Sequence, residues 1–230
     1  MREIKMKIKA KDIKKVVEGF PDDIVDEMAV PSYTHWNPLI RWLMWKRLNI
    51  VQDLCNGLQI RVALDYGSGA GVMLPFLSKI AVRVVAVDKV IAPTARLCEY
   101  YKLDNVELHE LDTLPIPLPD GSVDLILSLD VQEHIKALQE STRELVRVLK
   151  PGGRLVVSGP SESPLYKFSR LLAGFRKRAT YHRWNVDDVN KALEAHLTLI
   201  QKKTLLRPVR QFDISVFQKL LDDYSSSYGG

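Results

Sequence analysis

Between Arg61 and Ser158, short continuous aliphatic runs alternate with segments whose apolar residues recur at helical spacing. Runs such as Val62-Ala63-Leu64 and Val82-Arg83-Val84-Val85-Ala86-Val87 present apolar side chains to both faces. That pattern predicts strands covered on both sides, as in a parallel sheet flanked by helices. A third strand is expected over Val106–Leu111 and a fifth over Arg154–Ser158. Helices are predicted near Ala70–Ile80, Ile91–Tyr101 and Ile135–Lys150, the last stopping where Pro151-Gly152-Gly153 cannot continue it. Further on, a helix near Val186–Ala195 precedes two strands, Leu197–Leu206 and Phe212–Gln218. The alternation predicts an α/β fold with a Rossmann-like, doubly wound, mostly parallel sheet.

Two regions depart from this rhythm. The first sixty residues are helical by pattern, and Asn37-Pro38 is a good helix start before the run Leu39–Leu48, which is apolar nearly all round. Trp36, Trp42 and Trp45 lie on that helix or just before it, and aromatic residues at such spacing are expected to pack it onto the core rather than line a substrate pocket. The second region, Leu165–Arg178, is basic and amphipathic. Such a segment suits an anionic membrane surface, a cap over an acidic or lipid-like substrate, or a solvated helix face.

Size and composition fit one enzyme domain: 230 residues, 46% apolar and 27% charged, can bury a full core. It divides into a helical cap at 1–59, a core at 60–160, a basic insertion at 161–185 and a C-terminal helix and strand pair at 186–224, with Ser225–Gly230 as a loose tail. Cys55 and Cys98 lie in helix-like segments without a Cys-x-x-Cys spacing, so small buried hydrophobes are expected rather than a metal site or disulfides. The first residues are charged and lack the apolar core of a signal peptide, and no run approaches a membrane span, which predicts a cytoplasmic protein. A net charge of +5 and a pI near 9.1 give mild attraction to phosphates, a property shared by many proteins that bind none.

The chemistry is concentrated where the first strand ends. Val62–Asp65 runs directly into Tyr66-Gly67-Ser68-Gly69-Ala70-Gly71, and glycines placed after a buried strand allow a turn tight enough for backbone to approach a ligand closely. The following helix would point its positive end at the same spot, and Pro75 fits only its first turn. The second strand ends in Asp88, roughly 20 residues beyond the glycines, where a carboxylate can accept both hydroxyls of a ribose. Together these mark a nucleoside site. A dinucleotide is disfavoured, because Gly71 follows Gly69 by two positions rather than three and because Asp65 would repel a pyrophosphate. A cation such as an α-ammonium suits Asp65, with loop N–H groups left for a carboxylate.

Asp65-x-Gly67-x-Gly69-x-Gly71, Asp88, the stretch Leu118–Ser128 and Leu149-Lys150-Pro151-Gly152-Gly153-Arg154-Leu155 resemble the class I S-adenosylmethionine-dependent methyltransferases. The Glu133-His134 pair after the fourth strand is similar to the small-molecule branch called type 11. The resemblance spans roughly Leu58 to Pro160. It implies S-adenosyl-L-methionine as cofactor, a seven-stranded sheet and an antiparallel strand pair at one edge. It further implies that Gly67, Ser68, Gly69 and Gly71 wrap the methionine end and Asp65 reaches the ammonium. Asp88, beside Lys89, would hold the ribose, Asp112 the adenine amino group with Glu110 as fallback, and Thr113 and Leu129 would lie near the ligand.

Methyl transfer from a sulfonium is an in-line displacement, so placing the acceptor accounts for much of the rate. A base is needed only for a hydroxyl or an acidic carbon, and His134 is the candidate by position and ordinary pKa. Tyr33, His35, Trp36, Tyr181, His182 and Arg183 are candidates on the acceptor side. Where base-modifying relatives carry an Asn/Asp-Pro-Pro-Tyr/Phe motif, this chain has Ser128-Leu129-Asp130-Val131, and neither cysteine has the Pro-Cys setting of pyrimidine methylation. A small-molecule or lipid-like acceptor is therefore expected, with no nucleic acid, no metal and peripheral contact with an anionic membrane left open. The alternatives are a nucleotide-dependent oxidoreductase and a non-catalytic binding protein on the same fold. Nothing in the pattern specifies an oligomeric state.

Overall fold

The computed structural model describes residue 6 and residues 8–161, 183–206 and 212–221. Its centre is a seven-stranded sheet: β1 (Ile60–Tyr66), β2 (Ala81–Asp88), β3 (Val106–Glu110), β4 (Val123–Leu129), β5 (Leu149–Pro160), β6 (Thr198–Leu205) and β7 (Phe212–Gln218). The strand order is β3-β2-β1-β4-β5-β7-β6. β2, β1, β4 and β5 pair in parallel, while β7 runs antiparallel to both β5 and β6. The order reverses beside β1, the strand that carries the glycine turn, and in such sheets the crevice at the carboxyl ends is where ligands bind.

The expected helices are present with shifted ends, each for a local reason. α5 runs Leu74–Ile80, not from Ala70, because Gly69 and Gly71 take left-handed φ values of +55° and +73°, which a right-handed helix cannot absorb. Pro75 occupies its first turn, as anticipated. α6 spans Ala92–Tyr101. α7 begins only at Leu138, since a 3₁₀ turn at Gln132–His134 and an extended Ile135 come first. It ends at Val148, where Leu149 already belongs to β5. Pro151-Gly152-Gly153 thus interrupts a strand rather than opening one: the register jumps from Val123 against Leu149 to Leu125 against Arg154. α8 covers Val186–Glu194, with the Asn185 and Asp188 side chains each capping the other's backbone N–H.

Before the sheet lie α1 (Ala10–Val16), α2 (Asp22–Glu27), α3 (Val30–Tyr33) and α4 (Pro38–Cys55). α4 starts as predicted, the Asn37 side chain accepting the Leu39 N–H at 2.9 Å. Its buried stripe, Met44, Trp45, Leu48, Val51 and Cys55, joins one of two apolar clusters. The packing expected of the three tryptophans holds for Trp45 alone; Trp36 and Trp42 face solvent. The cap is tied to the core at α6, where Asp12 accepts hydrogen bonds from Tyr100 and Tyr101 at 3.2 and 2.8 Å. Both cysteines are buried, which pushes Cys55 up to about 12 and Cys98 to about 11. The basic segment Leu165–Arg178, Tyr181, His182 and the tail Ser225–Gly230 lie outside the described residues.

Candidate functional site

The carboxyl ends of β1, β2 and β4 meet around the glycine turn. Asp65, near the end of β1 where it enters the loop, is 4% exposed. Burial, and secondarily the nearby Asp88 charge, pushes its pKa up to about 7. Among the described residues its carboxylate accepts no hydrogen bond, so it is a buried acid without a partner at the mouth of the loop.

The loop is braced by hydrogen bonds that use the N–H donors of Gly67, Ser68, Gly69 and Gly71. Gly67 and Ser68 donate N–H groups to the Val87 carbonyl, Gly69 donates to Asp88 Oδ2 at 2.7 Å, and Gly71 donates to the Ser68 carbonyl. Those four N–H groups are therefore not the ones left over for a ligand carboxylate; the glycines instead let the backbone pass close to its neighbours. A Cβ on Gly67 would lie 2.2 Å from Val131 Cγ2, and one on Gly69 would meet Met28 of the cap at 3.6 Å. Thr94 of α6 completes the brace, donating to the Gly69 carbonyl at 2.6 Å and sharing a 3.1 Å hydrogen bond with Ser68 Oγ.

Asp88 is held by two backbone donors, Gly69 N–H and, at 3.1 Å, Val90 N–H. Burial nonetheless outweighs them and raises its pKa. The structure brings Lys89 and Asp112 together as an exposed ion pair at 3.8 Å. Thr113 is exposed beside them, and Glu110 accepts the Ile91 N–H at 3.4 Å. Asp124 of the Leu118–Ser128 motif serves the sheet itself, accepting the Arg61 and Val62 N–H groups and the Lys150 ammonium.

Beyond Leu129, half-buried at the end of β4, Asp130 adopts a left-handed φ of +58°, strain of the kind that collects at functional sites. Its N–H reaches the Ser158 carbonyl at 2.9 Å, Ser158 Oγ donates to its carboxylate at 3.2 Å, and its other oxygen pairs with Arg47 of α4. Arg47 is 1% exposed, donates to Tyr33 Oη at 2.8 Å and lies over the Phe212 ring at 5.1 Å. Sequence reasoning nominated Tyr33 but missed Arg47 and Asp130. The signal was a cation on the apolar stripe of α4 and an acid directly after β4.

The next turn is fixed by Gln132, which donates to Ser128 Oγ at 3.0 Å and accepts from Ser141 Oγ at 3.1 Å. It leaves Glu133 buried and His134 exposed. Trp36 and His35 are neighbours, their rings 5.5 Å from each other. Among the described residues no cluster of His, Cys, Asp or Glu is arranged to hold a metal ion, and no helix is long and apolar enough to cross a membrane.

Residues 64–157 match a family model described as a methyltransferase domain. The chain is 31% identical over 112 residues to a probable S-adenosylmethionine-dependent methyltransferase of Mycolicibacterium smegmatis, an alignment covering 49% of this chain and 43% of that protein. It thus spans less than half the length of that curated relative. Among solved structures, the N-methyltransferase NodS of Bradyrhizobium japonicum in complex with S-adenosyl-L-homocysteine superposes with a TM-score of 0.64 at 16% identity, covering 86% of this chain and 96% of that one. The [4+2]-cyclase SpnF gives 0.63 at 17%, covering 77% and 81%. At such identities the likeness speaks for the fold alone. The strand order, the glycine turn flanked by Asp65 and Asp88, and the matched model agree that residues 64–157 form a methyltransferase domain, similar to S-adenosylmethionine-dependent methyltransferases, whose cofactor is S-adenosyl-L-methionine.

Proposed function

We propose that the chain transfers a methyl group from S-adenosyl-L-methionine to a small-molecule or lipid-like acceptor. The observation that carries this reading is Asp65: a buried, unpartnered acid beside a glycine turn is disfavoured as an anion until a cation arrives. The α-ammonium of the cofactor is that cation. Asp88, oriented by two backbone donors, would accept the ribose hydroxyls, and Asp112, exposed and paired with Lys89, would meet the adenine amino group. When bound, the cofactor supplies an electrophilic methyl on a sulfonium, so the protein's share is binding, orientation and exclusion of water.

On the acceptor side, Leu129 and Asp130 end β4 next to the cap residues Arg47 and Tyr33. The pair would hold the cap helix against this edge, making one wall of the acceptor cleft, with Trp36 in the bend just before that helix. His134, on the 3₁₀ turn, is the group offered as base if the acceptor carries a proton to be lost; Tyr181 and His182 would complete the acceptor contacts. The absence of an Asn/Asp-Pro-Pro-Tyr/Phe sequence at 128–131 supports an acceptor other than a nucleic-acid base.

Titration calorimetry with S-adenosyl-L-methionine and S-adenosyl-L-homocysteine tests the proposal, alongside mass spectrometry of ligand carried through purification. Micromolar binding of both is expected. No heat with either, together with clear binding of a nicotinamide dinucleotide, would overturn it.

A further inference from the structure

The outer end of α4 carries an apolar surface that the fold does not use. Trp36 is 83% exposed, Leu39 65% and Trp42 51%. Leu39, Trp42 and Lys46 fall at three- and four-residue spacing along one side of the helix start, with Trp36 in the bend just before it, and Lys46 is exposed. With side chains of this size Trp36, Leu39 and Trp42 leave roughly 300 Å² of apolar surface in water, the extent of the largest patch on a typical monomer, which is often a functional one.

Its position follows from Arg47. That residue meets Asp130 just past the carboxyl end of β4, while Cys55 leads back through a short link to the start of β1. α4 therefore runs opposite to the strands, and Pro38–Lys46 leads away from the edge that holds the cofactor site, over about 14 Å of helix. The patch thus lies beyond the carboxyl ends of the strands, on the side of the sheet that carries the candidate site.

We infer that this end of α4 docks on an anionic lipid bilayer, so that the cleft opens toward a membrane-borne acceptor. Charge selects this occupant. From Met28 to Gln52 the chain has no Asp or Glu; Lys46 is exposed and Arg41 half-buried, while Arg47 is buried on Asp130 and adds no charge to this surface, and the whole chain is +5. Arg41 is folded back on the His35 carbonyl at 2.8 Å, close to Trp36. Tryptophan joined to basic side chains suits the headgroup region, where the indole body is buried and its N–H stays wet. A two-fold pairing of this chain through the same face would set Lys46 in the contact of both copies, a repulsion an anionic surface turns into attraction. The inference rests on the lipid-like acceptor reading above for the nature of the substrate, and the surface itself is tested without turnover.

The full chain is mixed with vesicles of phosphatidylcholine plus phosphatidylglycerol, and with phosphatidylcholine alone, then sedimented; tryptophan emission and S-adenosyl-L-homocysteine affinity are measured on the same samples. Preferred binding to the anionic vesicles, weakened by salt, with a blue shift of emission, is expected. Leu39→Ser combined with Trp42→Ser, two exposed positions, should weaken vesicle binding at least tenfold and leave cofactor affinity unchanged. The inference is overturned if the parent does not sediment with anionic vesicles, if the double variant binds them as tightly, or if the face instead drives a concentration-dependent dimer that the variant lacks. Product binding without vesicle binding would sink this inference and spare the methyltransferase reading; vesicle binding without product binding would do the reverse.

Discussion

Asp65 allows the cofactor reading to be tested by pH. Burial and the Asp88 charge move its pKa from 3.8 to about 7, a shift of roughly three units. Each unit corresponds to about 1.4 kcal/mol, so the two protonation states differ by about 4 kcal/mol in how well the fold tolerates them. Between these two values the folded chain keeps a proton that the unfolded chain has released. This group's contribution to stability therefore declines as pH rises from about 4 to about 7 and is level above that. A cation seated beside Asp65 reverses the preference, because it favours the carboxylate.

Two consequences follow for ligand binding. Affinity for S-adenosyl-L-homocysteine should fall as pH drops below about 7. The fall approaches tenfold per unit, or on the order of 30-fold by about pH 5.5. Calorimetry in two buffers of different ionisation enthalpy should also register nearly one proton released per ligand in that range and nearly none at alkaline pH. Cys98, the thiol that feels the Asp65 charge, titrates near 11 and stays silent in this window. Asp88→Asn removes the charge that helps raise Asp65, so the midpoint should move down in that variant. Asp65→Asn should bind weakly and lose the pH dependence. Tight binding by the parent that is level across the window, with no proton released, would refute the ammonium assignment.

Asp88→Ala should weaken cofactor binding by about 1–3 kcal/mol, through the lost ribose acceptor, with folding retained by circular dichroism; unchanged affinity would make Asp88 only a clamp on Gly69. Arg47→Met should cost about 3 kcal/mol in urea unfolding, because Asp130 and Tyr33 lose their partner beneath the cap, and adding Asp130→Asn should recover part of the loss; a cost under about 1 kcal/mol would mean the pair acts like a surface one. Gly67→Ala should cost about 2–3 kcal/mol, since a Cβ there drives into Val131 and the backbone sits at a φ of +80°, and a variant as stable as the parent would show the loop to be pliant.

What could be read in the sequence was whatever neighbours along the chain decide. Continuous aliphatic runs define strands buried on both faces whatever they later pair with, so β1 and β2 could be placed to within a residue or two. The Asp65-x-Gly67-x-Gly69-x-Gly71 turn is local too, and its three glycines do take positive φ. Boundaries were misread where one element's end depends on another's geometry. Residues 70–73 look helical until two left-handed glycines deny the helix its start, and Lys150 reads as a helix end until β4 pairs with Leu149.

The acceptor side was legible in outline only, because its contacts join residues far apart in the chain. Arg47 and Asp130 are separated by more than eighty positions, and each alone has an ordinary reading: a basic residue on a helix, an acid in a turn. Only folding puts a fully buried guanidinium against a strained aspartate at the end of β4, with Tyr33 and Phe212 closing around it. The tryptophans show the same limit from the other direction. Spacing cannot tell Trp45, which fills the interior, from Trp42 three residues earlier, because the stripe that turns inward is set by the sheet α4 lands on. The buried stripe Met44, Trp45, Leu48, Val51 and Cys55 and the Arg47–Asp130 pair face the same way, so the contacts that anchor the cap leave Trp42 on the outward side.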